Sequence, residues 1–287
     1  MKRSTAILFL ICGLAAFAAK PALPRFGDEE RDTTRLNESL TDAAARKFAG
    51  PEARTAYVAG LFEGVPYAAH TLEGPEEVLT VRLDSLDCTT FVETALALSY
   101  TAGERRTSWR DFVYNLERFR YRNGVLDGYP SRLHYICDWA VDNIHRGNLT
   151  DVTDRVPRVC YVVRSIDFMS THRNAYAALA DSANFARIKS VESGYRNHRF
   201  PYIKTQDLRA QEVQAALHTG DVVGLVTKMK NLDVTHMGII VKDDKGVPYL
   251  LHASSSHGRV EKTAIPLADF MKRNTSLLGI RVFRLKD

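Results

Sequence analysis

Cysteine is scarce in this sequence, with four among 287 residues, too few for a disulfide-stapled mini-scaffold. There are only 17 glycines and 10 prolines, which excludes collagen-like and low-complexity chains. Neither sign of charge dominates: 39 basic against 34 acidic residues leave a net +5. So small an excess, spread along the chain, is no nucleic-acid footprint. No internal repeat occurs, and no His-Glu-x-x-His spacing announces a zinc site. Beyond the first twenty residues no run is long and apolar enough to span a bilayer, which takes about 20 residues. What remains is ordinary globular composition, 45% hydrophobic and 25% charged. The length suits one large domain or two small ones, with ample interior for a core.

The N terminus carries an address. Lys2 and Arg3 precede fifteen uncharged residues, Thr5 to Ala19, which end in Phe17-Ala18-Ala19. A basic start, a short apolar stretch and small residues at its end describe a secretory signal peptide, residues 1–19. A lipoprotein signal wants a small residue before its cysteine, and Phe9-Leu10-Ile11 before Cys12 does not supply one. The expected product is periplasmic or secreted, with no stable membrane insertion after cleavage. Residues 20–33 read as a polar N-terminal arm, and 34–287 as a single domain.

The first half of that domain is read as helical. Helices are expected near Leu40–Phe48 (capped by Asn37 or Ser39), Pro51–Glu63, Thr89–Tyr100, Ser108–Tyr121, Ser131–His145 and Asn174–Val191. The second half turns to strands, at Asp221–Thr227, His236–Lys242, Pro248–Ala253 and Leu277–Leu285, with Asp243-Asp244-Lys245-Gly246 as a hairpin turn. Helices followed by neighbouring strands predict an α+β domain with an antiparallel sheet.

Three residues carry the candidate chemistry. In Leu86-Asp87-Cys88-Thr89-Thr90-Phe91-Val92, the apolar positions that follow recur at helical spacing and Asp87 is a good N-cap. Cys88 then sits in the first helical turn, where free N–H groups and the dipole favour a thiolate. The thiol is therefore expected to titrate below its free value of about 8.5. The same N–H groups can stabilise an oxyanion. Across the hairpin, pairing Lys242 with Gly246 puts His236 opposite His252, on one face and about 5 Å apart at Cβ. A slip of one residue would separate them. A thiol facing two imidazoles makes a nucleophile, a base and an orienting group.

Other readings of the polar residues are weaker. His257, in Ser254-Ser255-Ser256-His257-Gly258, reads as a surface loop residue, and Arg196-Asn197-His198-Arg199 as a basic loop. Asp233, His236, His252 and Cys88 lack the spacing of a zinc set. Cys137 falls on a helical face and Cys160 in a strand-like run, both read as small buried hydrophobes, with a Cys137–Cys160 disulfide left open.

Asp87-Cys88-Thr89-Thr90-Phe91-Val92 resembles the Asp-Cys-Ser-Gly-Phe-Val helix start of the NlpC-type cell-wall cysteine peptidases, whose core is papain-like. His236-Met237-Gly238-Ile239-Ile240 resembles their His-Val-Gly-Ile-Tyr strand, and Leu251-His252-Ala253-Ser254 their Ile-His-Ala strand end. Thr89–Glu93, Ser131–Tyr135 with Asp138-Trp139, Gly220-Asp221 and Thr235 resemble the N-acetylmuramoyl-L-alanine amidase-like branch of bacterial envelope proteins. The departure is Thr89-Thr90 where Ser-Gly is usual.

The resemblance implies an amide hydrolase of soluble muropeptides, with no metal or organic cofactor. Cys88 would attack, His236 would take the thiol proton, His252 would hold His236, and the Cys88 N–H would bind the oxyanion. It implies cleavage between N-acetylmuramic acid and L-Ala, with γ-D-glutamyl-diamino acid endopeptidase activity as the alternative. Arg132, His134 and Tyr135 become the expected partners of the substrate, together with Asp87 and Thr89 beside the nucleophile. A catalytically dead wall-binding module and a lipid-directed acyltransferase are the rival classes.

Overall fold

The computed structural model describes residues 23–287, so the signal peptide read over residues 1–19 lies outside the described residues. The chain first pairs a short strand β1 (Arg25–Phe26) with β2 (Thr80–Val81), in parallel. Helices α1 (Glu29–Ala45), α2 (Pro51–Gly60), α3 (Cys88–Gly103), α4 (Trp109–Arg120) and α5 (Ile136–His145) build the first half. Then come β3 (Leu149–Asp151), β4 (Val159–Arg164), α6 (Phe168–Thr171), α7 (Ser182–Ser193), β5 (His198–Lys204) and α8 (Gln211–Ala216). The last part holds β6 (Val222–Thr227), β7 (Val234–Lys242), β8 (Pro248–Ser254), β9 (Arg259–Lys262), α9 (Leu267–Arg273) and β10 (Leu277–Leu285).

The main sheet runs β4-β5-β10-β6-β7-β8-β9, with β3 added along β10. Every pairing in it is antiparallel. The expected α+β architecture is therefore present. Both faces of the sheet are covered. Val222, Val226, Ile239, Leu251 and Phe283 pack with α1–α5 in one core. Val223, Leu225, Ile240, Leu250 and Val282 pack with α8 and α9 in another. That is why 222–227 alternates so weakly: all six residues of β6 are buried, and a strand covered on both faces needs no polar side.

Helix α3 is the pivot. Twelve of its residues are buried, including Phe91, Val92, Ala95, Leu96 and Leu98. A helix apolar on nearly all sides belongs inside a domain, and α3 lies between the other helices and β7–β8. Inside this core Glu93 pairs with Arg120 at 2.6 Å, each side chain 2% exposed.

Several boundaries differ from expectation. Within the segment read as an arm over 20–33, β1 forms at Arg25–Phe26 and α1 already starts at Glu29, capped by Asp28, whose side chain accepts the Arg31 N–H. Its first turn is acidic and apolar-poor, so hydrophobic spacing does not reveal it, although acids suit a helix N terminus. Asn37 lies within α1, and its side chain accepts the Trp109 N–H at the start of α4 at 2.7 Å, beside that helix's cap Ser108. The segment expected to be helical from Ser131 forms a 3-10 turn over Tyr129–Ser131, and α5 begins only at Ile136. The helix expected over Asn174–Val191 breaks into two 3-10 turns followed by α7, capped anew by Asp181. His198 and Arg199 of the basic run lie in β5, paired with β4. Cys137 and Cys160 are both free thiols.

Candidate active site at the start of helix α3

Asp87 caps α3 with a reciprocal pair of bonds. Its Oδ1 accepts the N–H of Thr89 at 3.0 Å and of Thr90 at 2.8 Å. The Thr90 hydroxyl in turn accepts the Asp87 N–H at 2.9 Å. This capping box fixes Cys88 as the first helical residue. The Cys88 N–H is taken by no backbone or carboxylate acceptor among the described residues. The Thr89 hydroxyl lies 4.0 Å from the thiol.

The thiol is not the acidic one that the helix start suggested. Burial raises it to about 11, and the Asp87 carboxylate adds to the rise. The N–H of Met237, the Thr89 hydroxyl and its own N–H pull the other way. Burial accounts for most of the difference, and the capping carboxylate adds to it: it consumes two of the free N–H groups and places a negative charge where the dipole argument needs a positive end.

Met237 follows His236 on β7, so the thiol faces the beginning of that strand. Among the described residues no hydrogen bond joins the thiol directly to the His236 ring. His236 instead points Nε2 at His252 Nδ1, 2.7 Å away, with the two rings nearly perpendicular. The hairpin register differs from the expected one by two residues. Lys242 pairs with Pro248 rather than Gly246, and Ile239 with Leu251. The connection is longer because the Asp243 side chain accepts the Lys245 and Val247 N–H groups while Gly246 takes φ +79°. A shift of two preserves the face, so the histidines meet diagonally instead of head-on.

Gly238 makes that diagonal contact possible. A Cβ there would lie 2.7 Å from the Leu251 carbonyl oxygen and 3.0 Å from the His252 Cβ. His252 is 5% exposed, with the Phe270 ring edge against it. Burial lowers His236 to about 3, with His252 adding to the shift. Burial likewise lowers His252 to about 4, opposed by Glu261. Both imidazoles are thus neutral at neutral pH.

The other expected site residues have varied surroundings. Arg132 is 6% exposed. It donates to Glu73 at 2.8 Å, lies 3.5 Å from Glu77 and stacks over the Tyr129 ring. His134 lies against Tyr129, its Nε2 3.0 Å from that residue's carbonyl oxygen, and burial pushes it down to about 3. Tyr135 is turned inward. Its hydroxyl donates to Glu192 at 2.7 Å and accepts the Met169 N–H at 2.6 Å, inside a small core with Cys137, Ile166 and Leu179. Cys137 is that core's thiol, and its N–H donates to Asp233. Asp233 is thus spent in the interior, and among the described residues no group of three His, Cys, Asp or Glu is arranged to hold a metal ion. His257 is exposed, as its loop position suggested, and contacts Glu261.

Two neighbours of the centre escaped the sequence reading. Tyr67 lies close enough to Cys88 and Asp87 for their charges to raise its hydroxyl further, beyond the main effect of burial. It arrives from a strandless segment bridged to Leu86, and no periodic pattern marks it. Glu261 sits directly opposite His252 on β9, a strand too short to announce itself.

The chain as a whole has counterparts among known proteins. Residues 57–280 match the AmiA-like family, described as N-acetylmuramoyl-L-alanine amidase-like. An N-acetylmuramoyl-L-alanine amidase from Bacteroides uniformis superposes with a TM-score of 0.78 at 36% identity, covering 83% of this chain and 99% of its own. A Bacteroides fragilis protein, provisionally assigned as a xylanase, superposes with a TM-score of 0.74 at 38% identity, covering 80% and 100%. A Legionella pneumophila protein at 20% identity shares the fold, with a TM-score of 0.69 over 90% of this chain and 96% of its own. No curated protein matches.

Proposed function

The chain belongs to the N-acetylmuramoyl-L-alanine amidase-like family, and on that premise we propose that Cys88, His236 and His252 form the catalytic triad of a papain-like cell-wall amidase. The family supports the amidase role and a peptidoglycan substrate, and with them an envelope or secreted location. No helix among the described residues is long and apolar enough to cross a membrane. The observation that carries the triad is the 2.7 Å contact between His236 Nε2 and His252 Nδ1.

That contact sets the tautomers. A base must present a bare nitrogen to the thiol, so His236 Nδ1 is the acceptor and Nε2 carries the proton. His252 Nδ1 then accepts, and its own proton sits on Nε2, on the ring that lies opposite Glu261 in the β8–β9 ladder. With a thiol near 11 and an imidazole near 3, the resting pair is neutral. Proton transfer then accompanies attack on the substrate carbonyl. The sulfur bonds to the carbonyl carbon of the muramoyl–L-Ala amide, and the Cys88 N–H donates to the oxyanion. His236 returns the proton to the amine of L-Ala, which leaves, and water hydrolyses the thioester. His252 keeps His236 in its productive tautomer throughout. Thr89 lines the nucleophile, and Arg132 can exchange Glu73 for a substrate carboxylate. His134 and Tyr135 hold the 129–135 segment that carries Arg132.

A glycosidase mechanism would need two facing carboxyl groups at the reacting bond, whereas this centre presents a thiol and two imidazoles. The test is digestion of a disaccharide–tetrapeptide muropeptide, with Cys88→Ala as control and products read by mass spectrometry. Free disaccharide plus intact tetrapeptide is the expected result. A disaccharide that keeps L-Ala-D-Glu would move the cut to the endopeptidase bond, and no cleavage by reduced enzyme would overturn the reading.

A further inference from the structure

The two histidines lie at one end of the sheet, where β6 and β8 stop and β7 and β10 start. Two grooves open at this end, one on each side of the turn that follows α9. The first, of about 560 Å³, is lined by His252, Glu261, Phe270 and Arg273. The second, of about 700 Å³, has an apolar floor that includes Met271 and Leu277, and a rim of Lys204, Arg209, Lys228 and Lys272. Asn274 and Thr275 line both, so a single turn separates the histidine groove from the basic one.

The charge on the second groove is not compensated. Among the described residues no carboxylate lines it. Arg209 contacts Asp269, but among the described residues Lys204, Lys228 and Lys272 pair with no acid. Lys228 spends one proton on the Thr275 carbonyl, at 2.7 Å, which ties the dividing turn to the rim. The Thr205 hydroxyl in the same wall is shielded from solvent and has no partner among the described residues. Cations gathered around a low-dielectric cleft repel one another and focus a positive field into it. An anion relieves that repulsion. The apolar floor selects among anions: it suits a chain with methyl groups between its negative charges better than a bare polyphosphate.

We propose that the basic groove is an accessory site for an acidic peptide stem of peptidoglycan. One stem of a cross-linked pair occupies the centre at Cys88, and the second crosses the Asn274–Thr275 turn and lays its carboxylates among Lys204, Lys228 and Lys272. This rests on the amidase reading above and adds to it a preference for cross-linked over single-stem substrate.

The test uses full-length Cys88→Ala protein, titrated calorimetrically with two probes: a single disaccharide–tetrapeptide and a cross-linked dimer carrying two stems. At low salt the dimer is expected to bind about 10-fold tighter or more, as a second tethered contact allows. High salt should erase the advantage, because it rests on ion pairs. Lys204→Glu with Lys272→Glu should abolish the advantage, and the milder Lys204→Gln with Lys272→Gln should weaken it. Circular dichroism checks that both variants fold. Equal affinity for the two probes, or a dimer advantage that survives charge reversal, overturns the proposal. So does lysine-dependent binding of phosphatidylglycerol vesicles without any dimer preference, which would assign the groove to a lipid surface. Turnover by the wild type is measured separately: its absence overturns the catalytic reading, while a lysine-dependent dimer advantage in the Cys88→Ala protein would still uphold the groove.

Discussion

His236 and His252 touch through Nε2 and Nδ1 at 2.7 Å although they are not partners in the β7–β8 ladder. Continued by one pair beyond Ile239–Leu251, the ladder sets His252 beside Gly238. The bare backbone there gives the second ring room to lean back toward the first.

Gly238→Ala should therefore injure catalysis more than folding. The added methyl meets the Leu251 carbonyl oxygen and the His252 Cβ, and β8 must shift to admit it. A displacement on the order of 1 Å can cost about 100-fold in rate. Turnover of the disaccharide–tetrapeptide, measured beside a circular dichroism spectrum, checks this. Full activity in a folded Gly238→Ala protein would break the link between the glycine and the imidazole pair.

Cys88→Ala should leave no measurable turnover, and His236→Ala very little. His252→Ala should lose about 10²–10⁴-fold, the usual scale for a base and its orientation, while folding normally. If His252→Ala kept wild-type turnover, the contact between the rings would be structural only.

Alkylation of Cys88 should be slow at neutral pH. The raised thiol is almost wholly protonated there, and only the thiolate reacts. The rate, mapped to the Cys88 peptide by mass spectrometry, should climb about tenfold per pH unit from pH 7 to pH 10. A plateau reached below pH 7 would instead reveal a resting thiolate–imidazolium pair.

Acid should destabilise the protein in a definite window. His134 and His236 are lowered from 6.5 to about 3, and His252 to about 4. The unfolded chain binds these protons first. Their contribution to stability is thus complete above about 6.5 and is lost progressively as pH falls toward 3–4. The thermal midpoint should fall across that window, and less steeply in His134→Gln. An identical pH dependence in that variant would exclude His134 as one of the groups.

The Glu93–Arg120 pair should be worth most when broken from one side. Glu93→Gln leaves the buried Arg120 without its counter-charge, a loss of about 3–5 kcal/mol, readable from urea unfolding. Replacing both residues by methionine should cost less than the two single changes added together. Additive losses would contradict a paired role.

Much of the centre could be read from local sequence. The Asp87–Cys88 helix start was legible because capping and apolar spacing are local rules, decided within a few residues. The alternating hairpin likewise put both histidines on one face, and a two-residue error in its turn did no harm because the side-chain period is two. Tertiary structure decided what depends on distant neighbours. It made the thiol a weak acid, since burial under β7 and the Asp87 charge outweigh the helix end. It turned Tyr135 inward, since Glu192 and Met169 from another part of the chain claim its hydroxyl. It brought Tyr67 and Glu261 to the centre and gathered Lys204, Lys228 and Lys272 around one groove. Periodicity and capping act along the chain, whereas electrostatics and desolvation act through space, and only the folded molecule fixes which groups share that space.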